Sequence, residues 1–407
     1  MIDSVLLITY TINPKGGSEP KIAWNNFKIA QSACRHVHVV TNQLLLKSLN
    51  EFPEISNSSK VTIHYVGVPR ILTKIPTILG DYLQYVLWIH RARTEVEKIA
   101  HSEKLTLGHH VSWGNLAFGT PLCDLNIPYI FGPAGGGTKK IPTPFTIKAL
   151  PFEMAEILRL VVMKIMGRSS FTVRSLKNAK LVLATNSDSY EYAVKAGAKL
   201  IKLSLADSIE KEKIIPVRVY PNSRNVLWAG RFLPRKAPLD AVEAFREVHK
   251  LIPDMTMTMV GNGPLYKKVA KRIEAYGLTQ AIHLHNRVGW DELLKLMLES
   301  KCLLFTSLRD SFGSQILEAA ACGTPTVMHG GIPALEWIDT PAAIYRISKY
   351  KVGSIEDLAN SLLECVTMEA EEWLVASHAA IEFAKKYSEE TKSHELIDDY
   401  NWTSKNQ

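Results

Sequence analysis

Short β-rich runs alternate with segments of helical length along the whole of this 407-residue chain. Amphipathic segments such as Ile22–Ser32, Pro238–Leu251 and Leu265–Tyr276 separate runs of β-branched, aromatic and other apolar residues. This alternation favours parallel sheets that are covered by helices on both faces. The predicted strands are Val5–Thr9, Val37–Thr41, Val61–Val66, Leu105–His109, Tyr129–Phe131, Leu181–Thr185, Asn225–Ala229, Thr256–Val260, Ile282–His285, Leu303–Thr306 and Pro325–Met328.

Six predicted strands followed by five are too many for one such sheet. They suit an α/β chain with two doubly wound, Rossmann-like parallel-sheet domains facing across a cleft. We place the boundary between residues 205 and 206, because the polar stretch Lys202–Lys213 is followed by Pro216 and Pro221. The predicted domains are therefore 1–205 and 206–385. Ligands of such domains bind beside the carboxyl ends of the strands, so functional residues are expected just after strands.

Composition excludes several classes of protein. Hydrophobic residues make up 46% and charged residues 22% of the chain, unlike a disordered or collagenous protein. No window approaches the roughly 18–20 apolar residues of a membrane span, and Met1–Tyr10 is predicted to be a strand rather than a signal peptide. The five cysteines are scattered without a C-x-x-C pair, which favours buried thiols, a cytoplasmic location and no structural zinc.

The basic excess of the chain is concentrated in residues 139–180. The whole chain has 48 Lys and Arg against 40 Asp and Glu, a net charge of +8. Residues 139–180 alone contain nine basic residues and only two acidic ones, Glu153 and Glu156. Such a patch predicts an anionic partner: a membrane surface, a nucleic acid or a phosphorylated substrate. A nucleic acid is the least favoured, because no helix-turn-helix, zinc-finger or aromatic-rich sheet motif accompanies the patch.

Two glycine-containing loops follow predicted strands. In the loop Gly16-Gly17-Ser18-Glu19-Pro20, Gly16 and Gly17 would let the backbone approach a ligand, and a helix starting near Lys21 would attract an anion. A plain turn with a helix cap explains the same residues. The loop from Gly230 to Lys236 places Arg231 and Lys236 around a proline turn, where they could clamp a diphosphate. A solvated basic loop is the alternative there.

The segment 307–325 carries the most informative motif. A strand ends at Thr306, a turn containing Gly313 follows, and a helix opens near Ser314. Glu318 lies about one turn inside that helix and leans toward its N-terminus, beside the position of an anion held by the first N–H groups. Asp310 in the preceding loop could accept hydrogen bonds from a polyol. The alternatives are an exposed helical carboxylate for Glu318 and a helix cap for Asp310.

This segment resembles the acidic-x7-acidic signature of retaining family 4 (group 1) glycosyltransferases of the GT-B fold. Gly230-Arg231 and Lys236 resemble the phosphate clamp of that family, at the expected distance upstream. Gly16-Gly17-Ser18-Glu19-Pro20, His109 and Phe131-Gly132-Pro133-Ala134-Gly135-Gly136-Gly137 are similar to a subgroup that makes cell-surface polysaccharides. The similarity spans nearly the whole chain, with the motifs in order.

The resemblance implies a role for each motif residue. Arg231 and Lys236 would hold the donor diphosphate and stabilise charge on the leaving group. Glu318 would bind the ribose, and the N–H groups of Gly313 and Ser314 would face donor oxygens. Asp310 stands where the family usually has Glu, so its contact with the donor sugar would be direct, water-mediated or lost.

Further expectations follow from the same resemblance. His109, rather than His110, would contact the donor sugar as a catalytic residue, although a lone histidine is more often structural. A terminal helix over 386–407 would return to the first domain, anchored by Tyr400 and Trp402. No D-x-D or H-x-x-E-H signature is present, so we expect no metal and no cofactor. The donor would be a UDP- or GDP-linked sugar.

The implied activity is transfer of a sugar, a hexosyl transfer with retained configuration, to a glycan or lipid-linked acceptor in surface polysaccharide or lipopolysaccharide biosynthesis. A GT-B sugar-nucleotide epimerase and a catalytically weakened nucleotide-sugar-binding homologue are the alternatives. The predicted helix Phe152–Met166 confines its charges to an arc of about 140°. It is either buried against its own sheet or an interfacial helix on anionic lipid, at the inner face of the cell membrane.

Overall fold

The computed structural model describes residues 1–14, 16–45, 49, 51–56, 58–69, 78–135, 150–338, 345–347 and 354–405. The chain forms two compact units. The first comprises Met1–Gly137, Leu158–Asp207 and Glu389–Gln407, and the second comprises Thr138–Ile157 and Ser208–Ser388. This division differs from the predicted boundaries chiefly at residues 138–157, which group with the second unit.

The elements alternate as strand and helix along the described chain. The strands are β1 (Ile2–Thr9), β2 (Cys34–Asn42), β3 (Val61–Val66), β4 (Leu107–Ser112), β5 (Tyr129–Ala134), β6 (Leu181–Ala184), β7 (Ile201–Leu203), β8 (Asn225–Ala229), β9 (Thr256–Val260), β10 (Ile282–His285), β11 (Cys302–Phe305), β12 (Thr326–Met328) and β13 (Tyr345–Ile347). The helices are α1 (Ser18–Ala33), α2 (Pro53–Ser56), α3 (Ile78–Ser102), α4 (Leu150–Gly167), α5 (Ser170–Asn178), α6 (Ser187–Lys195), α7 (Pro238–His249), α8 (Tyr266–Ala275), α9 (Trp290–Glu299), α10 (Ser314–Ala321), α11 (Ile355–Val366), α12 (Ala370–Lys386) and α13 (Glu389–Lys405).

The first unit is built on a parallel sheet of seven strands in the order β3-β2-β1-β4-β5-β6-β7. Its interior strand β1 is buried on both faces, which is why Val5–Ile8 is a continuous apolar run rather than an alternating one. Leu6 and Ile8 pack with α3 on one face, and Val5 and Leu7 pack with α1 and α13 on the other. The unit is therefore a three-layer α/β sandwich.

The second unit repeats this architecture with six strands in the order β10-β9-β8-β11-β12-β13. Trp228, Phe245 and Met257 belong to its main buried cluster, which joins the sheet to α7, α11 and the start of α12. All described strand pairings in both sheets are parallel. The predicted α/β class with two Rossmann-like parallel-sheet domains is confirmed.

Both sheets reverse their strand order at one point, between β1 and β4 in the first and between β8 and β11 in the second. At such a switch point the loops after the two neighbouring strands diverge to opposite faces and leave a crevice at the carboxyl ends. The loops carrying Gly16 and Gly17 follow β1, whereas those carrying Lys236 and Asp310 follow β8 and β11. The fold thus brings the motif loops of each sheet to its switch point.

The structure corrects several predicted bounds. The short strands β7 and β13, three residues each at sheet edges, were not predicted. Helix α1 begins at Ser18 rather than near Lys21, because Pro20 lies in the first turn, where its missing N–H has no helical partner. The terminal helix predicted over 386–407 spans Glu389–Lys405. All five cysteines are buried and unpaired, as predicted.

Candidate active site

The two loops at the switch point of the second sheet lie against each other. The Leu308 N–H donates to the carbonyl oxygen of Arg235 at 2.8 Å. The Thr306 hydroxyl donates to the carbonyl oxygen of Lys236 at 2.7 Å. The two motifs that the sequence separates by about 70 residues therefore form one local structure, and its side chains share one environment.

Asp310 forms a charge cluster with two cations of the facing loop. Its Oδ2 accepts a hydrogen bond from Lys236 Nζ at 2.5 Å, and its Oδ1 accepts one from Arg235 Nη1 at 2.7 Å. The three side chains are between 9% and 20% exposed, so water screens these pairs weakly. Arg235 was not among the predicted site residues, although it stands next to Lys236 in the motif. The pairing of Arg235 with Asp310 arises only when the two loops pack together, and the sequence pattern does not indicate it.

The cluster shifts the protonation equilibria of its members. Burial alone would raise the pKa of Asp310, but Lys236 and Arg235 hold that pKa well below its usual range. Burial lowers the pKa of Lys236, and the Asp310 carboxylate opposes that shift. Asp310 is thus a carboxylate whose charge is already compensated within the protein, which makes it a weak nucleophile.

Arg231 and Gly230 lie at the end of β8, beside a second glycine loop. The Arg231 side chain is exposed, in contrast to the buried Lys236. Gly261 has a φ of +143°, and a Cβ there would lie 1.9 Å from the carbonyl oxygen of Gly230. A Cβ on Gly263 would lie 2.8 Å from the backbone nitrogen and oxygen of Phe232. Two close backbone approaches therefore fix the loop that carries Arg231 and Lys236.

Helix α10 starts directly after the Asp310 loop. Gly313 precedes it with a φ of +107°, and a Cβ there would lie 2.5 Å from Cζ of Phe305. The N-cap residue Gly313 has no side chain to cap the helix, and the first N–H groups, from Ser314 onward, carry the positive end of the dipole. The role of Gly313 and Ser314 as backbone donors to an anion stays a prediction.

Glu318 lies one turn into α10 and is half-buried. Its Oε1 accepts a hydrogen bond from Trp290 Nε1 at 3.1 Å. Lys213 Nζ lies 5.2 Å from the centre of the Trp290 ring and 2.6 Å from Asp291. Trp290 was missed by the sequence analysis, because nothing in the local pattern of α9 distinguishes it from a packing residue.

The glycine loop of the first unit turns tightly into α1. A Cβ on Gly16 would lie 2.6 Å from Cβ of Pro20, whereas Gly17 has open space around its Cα. Glu19 is half-buried, and its Oε2 accepts a hydrogen bond from the N–H of Gly114 after β4 at 3.3 Å. Burial raises the pKa of Glu19, an effect that the Gly114 N–H partly offsets. Gly16 is therefore required by packing, and Gly17 exposes its backbone.

His109 is fully buried in β4, and both ring nitrogens have partners within the first unit. Nε2 lies 2.6 Å from the carbonyl oxygen of Gly132, which can only accept, so Nε2 carries the proton and donates. Nδ1 then accepts from the hydroxyl of Tyr400, at 2.7 Å. Burial lowers the pKa of His109 to about 4, and the Gly132 contact opposes that shift. This geometry leaves no ring nitrogen for a sugar and does not support the predicted catalytic role.

Tyr400 connects α13 to the centre of the first sheet, whereas Trp402 is 43% exposed. We expect Tyr400→Phe to lower the free energy of unfolding by about 1 kcal/mol, because it removes one buried hydrogen bond and leaves Nδ1 of His109 unpaired. Urea unfolding measures the change, with the exposed Tyr190→Phe as the matched control. Equal stability of Tyr400→Phe and wild type would contradict the structural assignment of His109.

Several predicted features concern residues that are not described. Gly136 and Gly137 of the glycine run lie outside the described residues, as do Lys139, Lys140 and Lys148 of the basic stretch. Within the described residues, no group of three or more His, Cys, Asp or Glu side chains is placed to hold a metal ion. None of the described helices combines the length and the apolar composition needed to cross a membrane.

Residues 210–386 match the family described as glycosyl transferases, group 1. This segment contains both loops of the second switch point. A phosphatidylinositol N-acetylglucosaminyltransferase subunit from Arabidopsis thaliana is 24% identical over 243 residues, which are 58% of this chain and 51% of that relative. The chain thus spans about half the length of this curated relative.

Two solved structures share the fold over nearly the whole chain. HepE from Anabaena, in complex with UDP and glucose, gives a TM-score of 0.64 at 17% identity and covers 98% of this chain and 99% of that one. WaaG, a glycosyltransferase involved in lipopolysaccharide biosynthesis, gives a TM-score of 0.61 at 14% identity. This match covers 97% of this chain and 98% of WaaG. At these identities the likeness shows the GT-B fold alone.

Proposed function

We propose that this chain, whose residues 210–386 match the group 1 glycosyl transferases, moves a sugar from a nucleoside-diphosphate sugar to an acceptor hydroxyl. One observation carries the proposal. At the switch point of the second sheet, the cations Arg231 and Lys236 follow β8, and the N-terminus of α10, with Gly313 as its N-cap residue, follows β11. Both features attract a diphosphate, and Glu318 lies about one turn into α10, where it would bind the ribose of the same nucleotide.

In this proposal the cations act on the leaving group. The diphosphate gains negative charge as the bond to the anomeric carbon breaks, and the Lys236 ammonium and the Arg231 guanidinium stabilise that charge in place. The tight pairing of Asp310 with Lys236 and Arg235 makes it a poor nucleophile. This supports retention by attack on the same face as the departing diphosphate, with no covalent intermediate on Asp310.

The donor and acceptor classes are also proposals. Anabaena HepE holds UDP and glucose, which favours a UDP-linked hexose as the first donor to test. The role of WaaG in lipopolysaccharide biosynthesis favours a glycan or lipid-linked acceptor in the assembly of a surface polysaccharide. Neither assignment follows from the residues of the second unit alone.

Turnover tests the proposal directly. The full chain is incubated with UDP-, GDP- and ADP-linked sugars, and release of the nucleoside diphosphate is followed with and without glycan acceptors. We expect one nucleotide to support release, and we expect that release to require Lys236. Release from no donor, despite tight nucleotide binding, would instead favour a catalytically weakened homologue, which the short, fully paired Asp310 makes the second candidate.

The ribose assignment of Glu318 gives a separate prediction. Glu318→Ala is expected to weaken binding of the nucleoside diphosphate about tenfold, because about 1.4 kcal/mol of hydrogen bonding to the ribose is lost. Titration calorimetry measures the affinity. Glu274→Ala, which removes an exposed carboxylate from α8, is the matched control and should bind normally. Unchanged affinity of Glu318→Ala would remove the ribose role from that residue.

A further inference from the structure

Helix α4 buries two charged side chains and exposes several large apolar ones. Its charged residues Glu156 and Arg159 are buried, each 7% exposed. Six of its large apolar residues are between 41% and 61% exposed, whereas Met163 is buried and Val162 and Met166 are partly buried against the core of the first unit. The six exposed residues, which we call the outer face of α4, are Met154, Ile157, Leu158, Leu160, Val161 and Ile165. A helix that packs on its own sheet normally shows the opposite arrangement.

The inward contacts of α4 explain why it cannot rotate to bury its apolar side. Glu156 Oε2 lies 3.1 Å from Nε of Arg309, the neighbour of Asp310 in the second unit. Met163 is buried within the core of the first unit. Rotation would leave the largely buried Glu156 carboxylate and the Arg309 guanidinium without each other, which is unfavourable. The outer face is therefore held outward by the residues beneath it.

Six large apolar side chains on one helix exceed the scattered exposure that is normal for a protein surface. At 100° per residue, Met154, Leu158, Val161 and Ile165 form a ridge about 60° wide along the helix. A contiguous ridge of this kind gains free energy when it leaves water, at roughly 25 cal/mol per Å² of apolar surface. It marks a surface that another apolar phase or molecule covers.

The charges around the ridge identify that partner. Lys164 and Arg168 are exposed on one flank of the ridge, and no acidic residue is among the exposed positions described for α4. Long basic side chains beside an apolar ridge suit a bilayer surface, where the ridge enters the acyl boundary and the cations reach anionic headgroups. A second copy of this chain would instead bring the same cations together.

We propose that the outer face of α4, with Lys164 and Arg168, docks the protein on an anionic lipid bilayer. The helix lies in the plane of the interface and does not cross it. The proposal stands on the exposed side chains of α4 and does not depend on sugar transfer. It replaces the broad basic stretch 139–180 with a defined surface of eight side chains.

Cosedimentation of the full chain with lipid vesicles tests this proposal. We expect the protein to pellet with vesicles of phosphatidylcholine and 30% phosphatidylglycerol, and to bind pure phosphatidylcholine more weakly. Leu158→Asn/Val161→Asn/Ile165→Asn should lower the partition coefficient at least about tenfold. Lys164→Glu/Arg168→Glu should abolish the preference for anionic vesicles and the salt dependence of binding.

The matched control removes three exposed apolar side chains elsewhere in the first unit. Val194→Asn/Leu200→Asn/Leu203→Asn, at positions 41% to 52% exposed, should pellet like wild type. Melting temperature and nucleotide binding of each variant show that the fold is intact.

Three outcomes would overturn the proposal. Wild type could remain in the supernatant with anionic vesicles, or the α4 triple variant could pellet as wild type does. Sedimentation velocity without lipid could also show a dimer that the triple variant dissociates, which would assign the outer face to a second copy of this chain.

Discussion

Lys236→Ala is expected to lower kcat for sugar transfer, or for hydrolysis of the donor, at least about 100-fold. The Lys236 ammonium lies at the carboxyl end of β8, at the switch point where a diphosphate would bind, and it is shielded from water. A charge in such a site stabilises the leaving diphosphate far more than an exposed charge would. Steady-state kinetics with the nucleotide sugar that supports turnover measures the loss.

The Lys236→Ala experiment can distinguish a loss of catalysis from a loss of folding. Asp310 keeps Arg235 as a partner when Lys236 is removed, so the variant is expected to fold. Lys267→Ala removes an exposed lysine from α8 and serves as the control, with kcat close to wild type. A kcat of Lys236→Ala within twofold of wild type, with an intact melting transition, would remove Lys236 from the catalytic machinery.

The second large effect concerns stability. Asp310→Ala leaves the buried cations Lys236 and Arg235 without their shared carboxylate. Because removing one partner of a buried pair leaves an uncompensated charge, the free energy of unfolding should fall by about 3 kcal/mol. The matched control is Asp254→Ala, which breaks an exposed pair with Arg224, 2.7 Å apart. That change should cost less than about 1 kcal/mol.

The pH dependence of the Asp310 effect has a defined sign. The carboxylate pKa is lower in the folded protein than in the unfolded chain, so its stabilisation is fully present above the unfolded value of about 3.9. It is lost as pH falls through the lowered folded pKa. Urea titrations should give a constant difference between wild type and Asp310→Ala above about pH 4, and a smaller one below. A difference that disappears already at pH 6 would contradict the pairing.

The sequence predicts several strands well, including the edge strands β3 and β10, because β-branched and other apolar residues recur in them. The predicted bounds of β3, β8, β9 and β10 agree with the structure to the residue. Strands β7 and β13 were missed because three residues at a sheet edge are too few to show a periodicity. Their pairing depends on the neighbouring strand, which local patterns do not encode.

The candidate site, like the fold, could be predicted from the sequence only in part. The family resemblance implied that the loops of Lys236 and Asp310 serve one site, and the strand order places these loops side by side. It could not predict that Asp310 pairs with Arg235 and Lys236, nor that Tyr400 occupies Nδ1 of His109. Those contacts join residues 74 to 291 positions apart and exist only once both loops or helices are packed.

The sequence also did not determine which side of α4 is buried. The periodicity of Phe152–Met166 separates charged from apolar residues but does not say which side faces the protein. The ion pair between Glu156 and Arg309 decides it, and the partner lies about 150 residues further along the chain. The interfacial alternative weighed from the sequence therefore became testable only with the structure.

Nucleotide binding to the second unit is the central claim, and a thermal-shift panel tests it most directly. The full chain is heated with UDP, GDP, ADP and their common sugar conjugates, in the presence of EDTA. One nucleoside diphosphate at 100 times its Kd should stabilise the fold by about 2.7 kcal/mol, and Glu318→Ala should need about tenfold more of it. A melting curve that no nucleotide moves at millimolar concentration would contradict the assignment of a donor site to β8 and β11.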